Sequence, residues 1–257
     1  MNLSQRSTRS ERMDTDCVDF DDYSRCLRDL SRVNIITMTH RTTLSWLARR
    51  ATGNFSVLDV ACGRGDALRK IRRRFPDAKL TGVDLNPWAC RAAKEATDPS
   101  ARIEFINDDA FAYGATQKFD FVVTSQFTHH LQDEQVVTFL RWLQLNAARG
   151  WFISDLHRHA FAYYGFPILA RLAFWHRFVR EDGQISIARA FRRAEWDTLL
   201  RQPASASNRR SSPGTSRSAY ASGPGNHRRR ASRHCRGDHV GPGRSPADPD
   251  RKDGGTH

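Results

Sequence analysis

The segment VLDVACGRGD, residues 57–66, limits what this chain can fold into more than any other. Apolar strand residues run into Gly63 and Gly65, with Asp59 inside the strand and Asp66 just beyond the glycines. A strand that ends in glycines and passes at once into a helix serves one of two ends. It makes a tight turn, or it brings backbone N–H groups at a helix N-terminus close to a ligand. The flanking sequence makes this turn one of a series. Apolar strands are predicted at 56–60, 79–84, 102–107, 119–124 and 151–154, alternating with helices at 66–75, 87–96 and 133–149. Pro87 stands in the first turn of its helix, where a missing N–H is harmless. This alternation predicts an α/β fold: a Rossmann-like, mostly parallel sheet with helices on both faces.

The ends of the chain read differently. Residues 1–18 are polar and are expected to be disordered. Between Phe20 and Arg50, Leu27, Leu30, Val33, Ile36, Leu44, Leu47 and Ala48 recur at helical spacing, and Gly53 and Asn54 close the segment. An aromatic-rich stretch, 160–179, is interrupted by Gly165 and Pro167 and is expected over the carboxyl ends of the strands. It fits a core helix, a hydrophobic substrate lid or a contact with a membrane surface. One more helix is predicted at 185–200, so the folded domain spans 19–201.

Residues 202–257 hold 6 of the 10 prolines and 8 of the 16 glycines and show no apolar periodicity. They read as a disordered basic tail. The abrupt change in composition also resembles GC-rich DNA read in a shifted frame. Of the net charge of +13, the residues from Arg201 onward carry +8 (12 basic, 4 acidic). The basic excess therefore says little about the domain, and nucleic acid is not the expected partner. The five cysteines form no metal or disulfide spacing, so no metal is expected, and reduced thiols suit a cytoplasmic protein. No run of apolar residues is long enough to span a membrane.

The acids that follow the strands define a ligand. A dinucleotide site would carry a third glycine where this chain has Leu68. Asp59, ahead of the glycines, suits a cationic amino-acid head better than a phosphate. Asp84 ends the second strand, where a carboxylate accepts hydrogen bonds from ribose hydroxyls. Asp108, Asp109 and Ala110 follow the third strand, where an acid meets an adenine amine.

Residues 56–155 resemble the cofactor half of class I S-adenosylmethionine-dependent methyltransferases. The motifs are VLDVACGRGDAL, LTGVDLNPWA, IEFINDDAF and FDFVVTSQFTHHL. The resemblance implies that Asp59, Ala61 and Gly63, with Gly65 in the same loop, surround the methionine part of S-adenosylmethionine. It implies that Asp84 and Leu85 hold the ribose and that Asp109 and Ala110 flank the adenine. It also implies the strand order 3-2-1-4-5-7-6. The tail lacks the residues to build the last two strands, so the usual C-terminal edge strands are expected to be missing, leaving 151–154 as an open edge.

Candidates for proton transfer follow the fourth and fifth strands: His129 and His130, then His157. Asp155 is spaced to orient His157, although strand alternation alone would also put them on one face. The stretch SDLHRHAFAYYGF is similar to bacterial small-molecule methyltransferases of the quinone- and polyketide-modifying kind. The expected activity is methyl transfer to an oxygen or carbon of an apolar, aromatic small molecule. An RNA methyltransferase anchored by its basic tail, and an inactive frame-disrupted copy, are the alternatives.

Overall fold

The computed structural model describes residues 3–16, 19–114 and 118–201; the tail expected at 202–257 lies outside the described residues. Five strands form one parallel sheet: β1 (Ser56–Val60), β2 (Lys79–Asp84), β3 (Ile103–Asn107), β4 (Phe119–Ser125) and β5 (Ala147–Ser154). Their order is β3-β2-β1-β4-β5, the first five places of the order that the resemblance implied. No further strand occurs among the described residues. β5 pairs only with β4, and its residues stay half-exposed or exposed along its length.

Alternation within β1 separates two cores. Val57 faces α3 (Arg41–Arg50), α4 (Asp66–Arg74) and α5 (Pro87–Glu95), packing with Trp46, Leu47, Leu68, Ile71 and Ala93. Leu58 and Val60 face α7 (Asp133–Asn146), packing with Phe139, Trp142 and Leu143. Phe119 joins the α7 side whereas Phe121 joins the other, where the β4–β5 register shifts by one extra residue on β5 between Ala147 and Gly150. Gly82 in β2 is required by this packing. A Cβ there would come within 2.8 Å of Cys62 Sγ and Leu68 Cδ1.

A helical layer crosses the carboxyl ends of the strands. It comprises α1 (Arg12–Thr15), α2 (Phe20–Ile36), α8 (Ala160–Leu172) and α9 (Arg177–Arg189), with Cys26, Val33, Ala170, Phe178 and Val179 in a core of their own. Three boundaries differ from the sequence reading, each for a local reason. The segment 20–50 is two helices, because Thr37 turns its hydroxyl back to Val33 O and Met38 adopts φ 52°. α7 stops at Asn146, whose amide caps Trp142 O, and Arg149 lies in β5, bonding Arg50 O and Thr52 O. The segment 185–200 is divided between α9 and α10 (Arg193–Arg201).

Pro167 does not end α8. The carbonyl of Tyr163, four residues before it, accepts from Gln184 Nε2 at 3.1 Å instead.

The expected disorder of residues 1–18 is corrected by the packing of 3–16. Ser7 N donates to Ala188 O at 3.0 Å, and Asp182 accepts from Arg12 N and Met13 N at 2.7 and 2.8 Å. The Arg6 guanidinium lies 3.5 Å from the Phe191 ring centroid. The fully buried Arg158 donates to Leu3 O at 3.0 Å, to Ala190 O and to Glu195. Order here comes from long-range polar bonds, which an apolar pattern does not register.

Candidate active site

The loops after β1 to β5 converge under the helical layer on a cavity of about 1960 Å³. This exceeds the roughly 300–1,000 Å³ of a single small-molecule site. Its sheet side is built from strained turns. Ala61 (φ 57°) and Gly63 (φ 54°) follow β1, and Gln126 (φ 53°) follows β4. Left-handed Ala and Gln are costly and persist where the surroundings dictate them.

A side pocket of about 140 Å³ opens beside Ala61 and Gly63. Asp59 sits in its wall, buried, with Oδ1 lacking a hydrogen-bond partner. Burial, reinforced by Asp84 and Asp66, pushes its carboxyl up to about 8. Around the same pocket stand Asn34 Oδ1, Ser125 Oγ, Arg64 Nε and both ring nitrogens of His40, all buried and unpartnered. Burial, then Lys70, lowers the His40 imidazole to about 4 and keeps it neutral. Of these pocket residues, sequence reading had found only Asp59, Ala61 and Gly63. Asn34 and His40 come from α2 and the turn after it, and nothing in their spacing points to β1.

The other predicted cofactor residues fall into two groups. Asp84, Leu85, Asp109 and Ala110 line the main cavity. Asp84 already receives Gly63 N at 3.0 Å and Asn86 N at 2.9 Å, one on each oxygen. A carboxylate has about four acceptor positions in all. Asp109 caps α6 (Ala110–Gly114) through Phe111 N at 2.9 Å. Gly65 lines neither pocket. It is the left-handed N-cap of α4 (φ 78°), and a Cβ there would come within 2.7 Å of the Phe105 ring. Its constraint is conformation and packing.

The histidines also divide. His129, buried in the turn Thr128–His130, donates Nδ1–H to Asp155 Oδ1 at 2.7 Å, and its Nε2 lies 3.5 Å from Glu11 Oε1. Burial opposes its charge, but the Asp155 and Glu11 carboxylates outweigh burial and hold the imidazolium. His130 is half-buried, its Nε2 3.7 Å from the same Glu11 oxygen. His157 is exposed on the cavity rim beside His159, ring centroids 6.2 Å apart. The sequence pairing of Asp155 with His157 is therefore corrected: Asp155 binds His129, together with Thr128 Oγ1, His129 N and Leu156 N. Glu11, which also accepts from Ser186 Oγ at 2.7 Å, was missed because its segment read as disordered.

The far wall is apolar. Phe127, Phe166 and Leu169 line it, with Phe161 (83 % exposed) at the mouth. The exposed face of α8 continues through Tyr164, Ile168 and Leu172.

Five parallel strands in the order 3-2-1-4-5, with the glycine loop after the central strand, define the class I methyltransferase fold. Residues 57–146 match the family described as "Methyltransferase domain". The chain is 30 % identical over 80 residues to malonyl-[acyl-carrier protein] O-methyltransferase 1 of Ilyobacter polytropus, 31 % of this chain and 30 % of that protein. It is 32 % identical over 72 residues to trans-aconitate 2-methyltransferase of Streptomyces avermitilis, 27 % of each. The matched part thus spans under a third of the length of these curated relatives. The solved plantazolicin methyltransferase BpumL with SAH has a TM-score of 0.50 at 17 % identity, covering 70 % of this chain and 74 % of that one. At that identity the likeness concerns the fold.

The residues present fit S-adenosylmethionine. The buried, unpartnered Asp59 oxygen matches an ammonium, the Asp84 carboxylate at the end of β2 matches ribose hydroxyls, and no phosphate-binding third glycine is needed.

Proposed function

We propose that this chain transfers a methyl group from S-adenosylmethionine to an oxygen or carbon of a small, apolar acceptor of aromatic, quinone-like or polyketide-like character. The observation that carries the reading is the unpartnered Oδ1 of buried Asp59 beside the Gly63 turn, next to a cavity with room for a second molecule. When bound, the cofactor supplies an electrophilic methyl group on a sulfonium. Asp59 holds the ammonium. Arg64, with neutral His40, Asn34 and Ser125, meets the carboxylate. Asp84 receives the ribose hydroxyls. Leu85, Asp109 and Ala110 border the adenine.

The chain's further work is positioning and exclusion of water. Phe127, Phe166 and Leu169 favour an apolar acceptor body. His129 has both ring nitrogens committed to carboxylates, so it orders the turn and is not a proton acceptor. His130, His157 and His159 are the other imidazoles that line the cavity. The rim carries Asp16, Asp19, Asp108 and Asp109, which repel phosphates. That disfavours the RNA alternative.

The test is calorimetric titration of S-adenosylhomocysteine into the full chain, with Asp84→Ala beside it. Micromolar binding lost in the variant, followed by turnover in a screen of phenolic and enolic acceptors, is expected. No binding by a folded wild-type chain would overturn the reading.

A further inference from the structure

Glu11, His129 and His130 bring one carboxylate oxygen and two imidazole nitrogens within 4.8 Å of one another. Nε2 of His129 is 3.5 Å, and Nε2 of His130 3.7 Å, from the same atom, Glu11 Oε1. Ligands bound at about 2.1 Å in a tetrahedron stand roughly 3.4 Å apart. Both nitrogen–oxygen distances match that spacing to within about 0.3 Å.

The surroundings support the cluster. Nδ1 of His129 is engaged by Asp155 at 2.7 Å, which aims Nε2 at the other two ligands. A carboxylate behind a histidine is the usual support of a metal ligand. The turn that carries both histidines is pinned through its backbone: Arg189 Nε donates to His129 O at 3.1 Å and Nη2 to His130 O at 3.0 Å. The Arg6 guanidinium likewise serves carbonyls, Leu131 O at 2.8 Å and Arg189 O at 2.9 Å. Two carboxylates, Glu11 and Asp155, offset the charge of a divalent ion. All three ligand residues line the main cavity.

We propose that Glu11, His129 and His130 bind one divalent transition-metal ion, which displaces the proton on His129 Nε2 to solvent, with its remaining coordination positions turned into the cavity toward an oxygen donor of the acceptor. Two imidazoles and one carboxylate suit zinc-type cations, and three protein ligands leave a position open. The acceptor contact rests on the methyl-transfer reading; the metal site does not.

Co²⁺ reports such sites through its visible absorption. The tag-free full chain, stripped by a chelator, is titrated with Co²⁺. The expected result is one equivalent bound at micromolar concentration, with a visible band that Zn²⁺ abolishes. His130→Ala and Glu11→Gln should each weaken binding by about 100-fold or more, since even supporting residues are worth 10–100-fold. His130→Ala keeps the Asp155–His129 and Ser186–Glu11 bonds, so it remains informative if Glu11→Gln does not fold. No band, or a band of equal affinity in His130→Ala, overturns the proposal and leaves His129 as an ion-paired clamp. S-Adenosylhomocysteine titrated into the same sample separates the two readings. A chain that takes the nucleoside and no Co²⁺ refutes only the metal site, and the reverse refutes only the methyl-transfer reading.

Discussion

The proposed pairing of Asp59 with the cofactor's ammonium makes affinity a function of pH. The Asp59 carboxyl, pushed up to about 8 first by burial and then by Asp84 and Asp66, is mostly protonated at pH 6. The ammonium of the cofactor needs it ionised. The ligand's α-ammonium, beside its own carboxylate, stays protonated over this range, so the ionised fraction of Asp59 sets the change: it rises about 50-fold from pH 6 to pH 8. That corresponds to about 2.3 kcal/mol of binding. Above pH 8 Asp59 is mostly ionised and the rise levels off. The assay is calorimetric titration of S-adenosylhomocysteine at pH 6, 7, 8 and 9, beside 5′-methylthioadenosine, which has the nucleoside but no amino acid. The homocysteine form should bind more tightly from pH 6 to pH 8 and then level off, and methylthioadenosine should show a flat line. Asp59→Asn should flatten the acidic limb. Equal profiles for both ligands would refute the pairing of Asp59 with the ammonium. The sign for stability runs the opposite way. Folded Asp59 keeps its proton where an unfolded carboxyl has lost it, so the free protein loses stability as pH rises from about 4 to 8.

Other substitutions test the frame. Gly65→Ala combines a left-handed backbone with a 2.7 Å clash on Phe105, and should cost about 1–3 kcal/mol in urea unfolding. Gln184→Ala leaves Tyr163 O without its side-chain donor beside Pro167, with an expected loss of about 1–3 kcal/mol by the same measurement. Phe139→Ala, in the fully buried α7 core, should cost about 3–5 kcal/mol. His40, lowered to about 4 by burial and then Lys70, makes the protein lose stability as pH falls from about 6.5 to 4; His40→Gln should remove that part of the acid transition.

The strands and the acids at their ends were legible because each is a local pattern: an apolar run, a glycine turn, a carboxylate. Val57 and Leu58 announce both cores by alternation alone. What was hidden depends on distant pairing. His40 reaches Asp59's pocket from a break in α2 and α3 that the apolar spacing of Leu27 to Leu47 runs straight across. Glu11 belongs to a segment with few apolar residues, and its order depends on Arg158, Asp182 and Ser186, far along the chain. Asp155 was paired with the nearer histidine in sequence, whereas the fold turns it to His129 across the β4–β5 loops.

The contact between Glu11 and Ser186 has a consequence in time. The two residues are 175 positions apart, and at a synthesis rate of about 5–20 residues per second they leave the ribosome roughly 9–35 s apart. Throughout that interval the wall that faces the two histidines has no fourth side. The sheet can assemble earlier, since β5 ends at Ser154. A nascent chain of this protein thus has the turns after β1 and β2 in place before it has a closed chamber. The chamber closes only when α9 emerges and the first segment packs onto it.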